Sequence, residues 1–221
     1  HRVALGATLA LASAAQAQVV RVDVDAFTPQ AGQITFSELV LGTVNPTYAP
    51  AAYGGGAGAP TVTFGGYFSG QSLGSASTCP AGAALTGCVV GTPSGASLSL
   101  AAASPQTRIV SDGANPTSPV LSGSPTFNGP ISILFSDDQY GVGLDGGFFD
   151  AIGGTAITAF DRAGNVIGAV SNIGLGIEFL GLVVGDGTAK IAGLQFSLVG
   201  AEPAGFAIDN VRFGKVGEVV N

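Results

Sequence analysis

Short apolar segments alternate with turns along the last third of the chain. Between residues 130 and 213, each apolar run is only a few residues long and is followed by Gly, Asn or Asp. No helical apolar repeat is sustained, and strands spaced by turns favour antiparallel packing. The predicted strands here are Ile131–Phe135, Tyr140–Leu144, Thr155–Phe160, Asn165–Val170, Gly176–Val183, Lys190–Leu198 and Gly205–Phe213. The pattern predicts an all-β fold, an antiparallel β-sandwich.

Two of these segments predict local geometry. In Lys190–Leu198, large apolar residues occupy alternate positions, which predicts that Gly193, Gln195 and Ser197 face solvent. Further upstream, Asp161–Asn165 contains Gly and lies between two apolar runs. It predicts a hairpin loop.

The first half of the chain is less regular. Residues 18–41 hold two strand candidates, Val19–Val24 and Gln33–Val40. Residues 42–130 are rich in Gly, Ala, Ser and Pro, a composition typical of turns and long loops. Strand candidates interrupt these loops at Thr61–Phe68, Ser97–Leu100 and Arg108–Ser111.

The last predicted strand changes its apolar phase. Phe206 and Ile208 share one face, whereas Val211 and Phe213 share the other. The change falls at Asp209-Asn210. A slip of one residue in a two-residue period predicts a bulge or bend there.

A second carboxylate is predicted to lie near this bulge. Glu38 repeats the phase of Ile34 and Phe36, so an unbroken strand would turn it towards the core or its rim. A buried carboxylate must be paired, hydrogen-bonded or bound to metal. The first and last strands of a jelly roll commonly lie close together. Glu38, Asp209 and Asn210 are therefore predicted to lie together, either around one Ca²⁺ with backbone carbonyls completing the shell or within a hydrogen-bonded cluster. The alternative is that Glu38 lies in water and Asp209 caps a turn.

The N-terminal residues have the pattern of a secretory signal peptide. Arg2 precedes the apolar run Val3–Ala12, and Ala15-Gln16-Ala17 follows as a cleavage box. The run is too short to span a bilayer. We expect residues 1–17 to be removed and residues 18–221 to form a single domain without a transmembrane segment. The expected location is secreted or on the bacterial cell surface.

Charge and histidine content exclude several classes of function. Removal of residues 1–17 leaves six basic and 14 acidic side chains, a net charge of −8, and removes His1, the only histidine. Nucleic acid is therefore not an expected partner, since phosphate binding needs clustered Lys and Arg. Catalysis by a Ser-His-Asp or Cys-His arrangement is excluded for the mature chain.

The two cysteines, Cys79 and Cys88, are predicted to form a disulfide. An exported protein with an even, closely spaced pair most simply oxidises it. The spacing does not fit a CxxC redox motif, and the mature chain has no histidine to complete a zinc site.

Several short motifs resemble bacterial exported proteins of the PEP-CTERM type. They are Ile34-Thr-Phe-Ser-Glu38 with Leu41-Gly-Thr43, Val62-Thr-Phe64, and the closing Phe206–Phe213. The resemblance covers most of the mature chain and implies a jelly-roll-like ectodomain associated with the envelope, exopolysaccharide or biofilm. The sequence lacks the family's Pro-Glu-Pro sorting tag. Glu202-Pro203 lies inside the domain and is not that tag.

The first hypothesis is a non-enzymatic domain associated with the envelope or the extracellular polysaccharide matrix. The second is a carbohydrate-binding module, in which sugar rings stack on exposed aromatic side chains. The candidates chosen for such a platform are Tyr67, Tyr140, Phe148 and Phe149, and the sequence has no Trp to strengthen it.

The third hypothesis is a glycoside hydrolase that uses a pair of carboxylates. The candidate pairs are Asp137 with Asp138 and Asp145 with Asp150, although both segments also have the composition of turns. Glu178 alternates with apolar neighbours and is predicted to face solvent.

Overall fold

The computed structural model describes residues 19–95, 97–114 and 118–221, and these ranges contain fifteen β-strands. They are β1 (Val19–Arg21), β2 (Gly32–Ile34), β3 (Thr47–Tyr48), β4 (Val62–Gly65), β5 (Ser72–Leu73), β6 (Val89–Val90), β7 (Arg108–Ser111), β8 (Pro119–Ser122), β9 (Ile131–Gln139), β10 (Gly141–Phe149), β11 (Thr155–Phe160), β12 (Val166–Ser171), β13 (Gly176–Val184), β14 (Ile191–Leu198) and β15 (Ala207–Gly214). Short 3₁₀ turns occur at Val24–Ala26, Pro50–Tyr53 and Leu85–Gly87. The predicted signal peptide, residues 1–17, lies outside the described residues.

Strands β8 to β15 form a jelly roll, which confirms the predicted antiparallel sandwich. They pair as nested antiparallel partners: β8 with β15, β9 with β14, β10 with β13, and β11 with β12. The nested pairs build two sheets. Sheet one has the order β1-β13-β10-β15-β8-β7, with β2 also paired to β15, and sheet two has the order β12-β11-β14-β9-β4-β3. The two sheets pack as a sandwich, the arrangement that lets each bury one apolar face.

The main core lies between the two sheets. Leu144 on β10 and Leu180 on β13 are direct cross-strand partners, and both are fully buried. From β15, the buried Phe213 contacts Phe135 of β9 across the sandwich, with ring centroids 5.3 Å apart. The two rings are tilted by 49°, and aromatic contacts of this kind add to the burial of apolar area.

Strand β14 is buried on both faces, so the prediction of a solvated face is wrong. Gln195 is 3% exposed and exchanges side-chain hydrogen bonds with Gln71, at 2.8 and 3.2 Å. Beside it, a side chain at Gly193 would collide with Phe68 and Leu98. The segment between β4 and β7 thus covers the outer side of sheet two with a second, smaller apolar cluster. Alternation alone could not show this, because Gly and Gln also fit a buried, hydrogen-bonded layer.

The covering segment contains the Cys79–Cys88 disulfide, which confirms the predicted pairing. Cys88 is 2% exposed and belongs to the main core. Close by, the backbone N–H of Ala84 donates to the carbonyl of Glu202 at 2.9 Å. The disulfide therefore fixes a loop that is docked on the sandwich.

Replacing both cysteines by Ser is expected to lower the free energy of unfolding by about 2–3 kcal/mol, because the unfolded chain regains the freedom of the closed loop. Urea denaturation of the double variant measures the loss. Reduction of the wild type should reproduce it, and an unchanged midpoint in both cases would contradict this role.

Local predictions had mixed outcomes. The hairpin between β11 and β12 is confirmed, and Asp161 accepts hydrogen bonds from the N–H groups of Ala163 and Asn165 at 2.9 and 2.8 Å. The predicted strand Gln33–Val40 is wrong beyond Ile34, because Phe36 takes a left-handed backbone with φ +58°. Ser97–Leu100 also forms no regular strand and makes a single bridge to Phe68 through Leu100.

Among the described residues, no helix has the length and apolar character needed to cross a membrane.

Candidate functional site

The site is built around a β-bulge in the last strand, at the position that the apolar phase predicts. Between β10 and β15, Gly143 pairs with Arg212 but Asp145 pairs with Asp209, so one residue of β10 faces two of β15. Asn210 takes a left-handed backbone with φ +46°, which Asn tolerates better than most residues. The bulge lets Ile208 enter the core while Val211 also faces inward.

The register places two carboxylates side by side on the outer face of sheet one. Asp145 is the direct cross-strand partner of Asp209, while the neighbouring Leu144 points into the core. The amide of Asn210 donates to Asp145 Oδ2 at 2.8 Å. Like charges directly opposite each other on neighbouring strands are destabilising. The arrangement therefore costs stability unless a ligand or proton offsets it.

Asp209 is the carboxylate of this group whose pKa is raised. It accepts hydrogen bonds from its neighbour Asn210 N–H at 2.7 Å and from Ser118 Oγ at 3.3 Å. Burial nevertheless raises the pKa of Asp209 to about 6, and the charges of Asp145 and Asp112 add to the rise.

These carboxylates line a pocket of about 520 Å³ on sheet one. One wall is apolar, formed by Phe148 and Ile177, whose side chains are 54% and 57% exposed. Glycines such as Gly146 and Gly205 bring backbone to the pocket surface. A pocket of this size, with apolar walls and a few converging polar groups, has the character of a small-molecule site.

Glu38 reaches the same region from a turn, and the prediction that its strand phase turns it inward is wrong. Its side chain is exposed, because the strand ends before the left-handed Phe36. Burial raises the pKa of Tyr48, and the carboxylates of Glu38 and then Asp209 raise it further. The charges of Glu38 and Asp209 thus both act on the Tyr48 hydroxyl. The calcium site at Glu38, Asp209 and Asn210 stays a prediction.

If Ca²⁺ binds there in the folded state only, saturating CaCl₂ should stabilise the protein by a few kcal/mol through mass action. Asp209→Ala should remove most of that gain. Thermal unfolding with calcium and with a chelator is the measurement. Equal melting temperatures under both conditions would contradict the calcium prediction.

The raised pKa of Asp209 gives a further prediction. The folded state binds the proton of the Asp209 carboxyl more tightly than the unfolded state does. The stabilisation that this proton contributes is therefore complete below the ordinary pKa of 3.8 and is lost as the pH rises through about 6. Asp209→Asn should flatten that dependence. It should also raise the free energy of unfolding at neutral pH by about 1 kcal/mol, less than the pKa shift alone implies, because water screens the charge of a partly exposed carboxylate.

Urea denaturation across the acidic to neutral range measures this effect. Asp186→Asn is a control of opposite sign, because the hydrogen bond from Lys190 lowers the pKa of Asp186 to about 2. An unchanged pH slope in Asp209→Asn would contradict the assignment.

The predicted aromatic platform is only partly available. Tyr140 and Phe149 are buried, 7% and 1% exposed, so their rings cannot stack on a sugar, and that part of the prediction is wrong. Tyr140 lies where the chain crosses from β9 in sheet two to β10 in sheet one. Tyr67 is half-buried in the segment that covers sheet two. Phe148 alone of the four lines the acidic pocket.

The predicted carboxylate pairs do not form joint sites. Asp137 and Asp138 are consecutive in β9 rather than in a turn, and they bind different cations. Lys215 Nζ lies 2.6 Å from Asp137, and Arg162 lies 2.5 Å from Asp138. Their charges are therefore used in ion pairs.

The second predicted pair, Asp145 with Asp150, is also separated. Asp145 belongs to β10 rather than to a turn, while Asp150 follows that strand in an exposed loop. The pairing that the fold produces is Asp145 with Asp209, which requires knowledge of the β10–β15 register.

Two buried polar side chains and one partly buried one hold together neighbouring loops, and the sequence did not reveal their role. Glu202 is fully buried and accepts hydrogen bonds from the N–H groups of Asp150 and Ala151 at 3.1 Å. Burial raises the pKa of Glu202. Asn172, 1% exposed, donates to the carbonyl of Ala151 at 2.7 Å. The loop between β10 and β11 is thereby fixed from two sides.

Glu178 is the third of these anchors, and the prediction that it faces solvent is wrong. It lies 3.3 Å from Arg21 and accepts the backbone N–H groups of Ile173 and Gly174 at 3.0 and 2.8 Å. The side chain thus turns back onto the loop between β12 and β13, which explains its partial burial.

Comparison with known proteins adds little. No protein-family model matches the chain, and no curated protein matches it. Among solved structures, the chain is similar to the enzymatically active domain of bacteriophage CBA120 tailspike protein 4, at 16% sequence identity and a TM-score of 0.26. The match covers 81% of this chain and 20% of the tailspike chain. A likeness at this TM-score carries no argument about function.

Proposed function

We propose that the protein is a secreted or cell-surface, non-enzymatic domain that binds an extracellular polysaccharide. The observation that carries the proposal is the pocket on sheet one, where an exposed Phe148 ring stands beside Asp145, Asp209 and Asn210. The buried disulfide and the signal-like N-terminus support an exported location.

The chemistry of the pocket suits a sugar. The C–H face of a pyranose ring is apolar and packs against an aromatic face such as that of Phe148. Sugar hydroxyl groups donate to carboxylates, and each ionised carboxylate accepts several hydrogen bonds. The pocket is also large enough for about one sugar unit of a longer chain.

The test is a glycan array followed by calorimetric titration of the best saccharide into residues 18–221. Phe148→Ala should weaken binding about tenfold, the loss of roughly 1.4 kcal/mol of contact. Val216→Ala is a matched control, because Val216 is an exposed apolar residue outside the pocket lining. Absence of binding to every saccharide, or equal binding by Phe148→Ala, would overturn the proposal.

A glycoside hydrolase is the second candidate, favoured by one observation. Asp145 and Asp209 are opposed carboxylates, and the raised pKa of Asp209, about 6, suits a general acid. Incubation with a polysaccharide panel separates the two candidates. Binding without release of reducing ends is the expected result, whereas turnover that disappears in Asp209→Asn would establish the hydrolase instead.

A further inference from the structure

The pocket on sheet one concentrates negative charge without a matching positive side chain. Asp112, Asp145 and Asp209 all border it, and Lys and Arg are missing from the lining residues that the structure describes. Asp145 and Asp209 are direct cross-strand partners, and Asp112 and Asp145 both act on the charge of Asp209. By contrast, Asp137 is paired with Lys215 and Asp138 with Arg162.

The dimensions of the site favour an organic cation over a metal ion. Among the residues that the structure describes, no three Asp, Glu, His or Cys side chains are arranged to hold a metal. The pocket volume of about 520 Å³ and the apolar wall of Phe148 and Ile177 fit a larger group. A protonated amine satisfies separated carboxylates through several N–H donors, and it is also attracted to the face of an aromatic ring.

We propose that the pocket selects saccharides that carry a protonated amine, such as the deacetylated hexosamine units of an extracellular polysaccharide. This inference rests on the proposed function and specifies its ligand. The ammonium group lies between Asp145 and Asp209, and the sugar ring packs on Phe148. Uronic acids are rejected by the same carboxylates, because like charges at short range repel.

The experiment titrates residues 18–221 with oligomers of glucosamine, of N-acetylglucosamine and of galacturonic acid, and separately with Ca²⁺ alone. Glucosamine oligomers should bind about tenfold or more tightly than the acetylated ones, and galacturonate should not bind. Raising the salt concentration should weaken the glucosamine complex, because exposed charge pairs are screened.

Asp145→Asn and Asp209→Asn remove one charge each while keeping the side-chain shape, and each should weaken glucosamine binding about tenfold. Asp186→Asn is the matched control, because it removes an exposed charge that is paired with Lys190 outside the pocket. Circular dichroism confirms that each variant is folded. Glucosamine binding that is unchanged in both pocket variants would overturn the inference.

The remaining outcomes separate this inference from the proposed function. Equal binding of glucosamine and N-acetylglucosamine oligomers, with loss in Phe148→Ala, would overturn the selection for an amine and leave polysaccharide binding intact. No binding of any saccharide would overturn both. Binding of Ca²⁺ alone that is lost in Asp145→Asn would assign the pocket to a metal and overturn the inference.

Discussion

Phe213→Ala is expected to lower the free energy of unfolding by about 3–5 kcal/mol. Phe213 is 1% exposed and joins the two sheets, because its ring lies 5.3 Å from that of Phe135 and 5.2 Å from that of Tyr53. Truncation removes the transfer free energy of the ring and leaves a cavity. The backbone of β15 is held by β10 and β2 on either side and cannot collapse to fill it.

Urea denaturation followed by circular dichroism measures this loss. Phe148→Ala is the matched control, because the same side chain is 54% exposed there and should cost less than about 1 kcal/mol. A loss below about 1 kcal/mol in Phe213→Ala would show that the inter-sheet contact is not close-packed.

Glu202→Ala is expected to destabilise the protein by about 2–4 kcal/mol, because it leaves two backbone N–H groups, those of Asp150 and Ala151, without their buried acceptor. Glu202 is itself fully buried, so solvent does not readily replace the lost oxygens. The loop between β10 and β11 should then exchange its amide hydrogens faster, while the strands keep their protection.

Hydrogen exchange and urea denaturation together test this role. Glu202→Gln keeps one acceptor oxygen and should lose less than half as much stability. Burial raises the pKa of Glu202, so the stability of the wild type depends on pH. Glutamine does not titrate, and the free energy of unfolding of Glu202→Gln should therefore depend less on pH. Equal losses in the two variants would indicate that packing, rather than hydrogen bonding, fixes the loop.

Much of the jelly roll was predictable because its strands are short, apolar and separated by turns. The segments of β11, β13 and β14 and the hairpin at Asp161 follow from local pattern. The end of the strand at Ile34 could not be predicted, since nothing local favours the left-handed backbone of Phe36, whose buried ring packs against Phe64. Tertiary packing overrides propensity at such positions.

The candidate site was predictable only in part. The apolar phase identified the bulge at Asp209-Asn210, which is confirmed. Its partner Asp145 could not be assigned, because the pairing depends on which strand lies beside β15 and in which register. Glu202 was also missed, since an isolated Glu in a loop gives no signal of burial until the neighbouring backbone N–H groups are located.

The nested pairing of β8 to β15 has a consequence for how the protein folds. The innermost pair, β11 with β12, is closed by a loop of five residues, Asp161–Asn165, whereas β8 and β15 meet only after the whole jelly roll lies between them. Each completed pair brings the ends of the next pair together, so the entropy of closing a long loop is divided into smaller steps. Folding should thus proceed outward from the β11–β12 hairpin, and the bulge at Asp209 should be among the last parts to form.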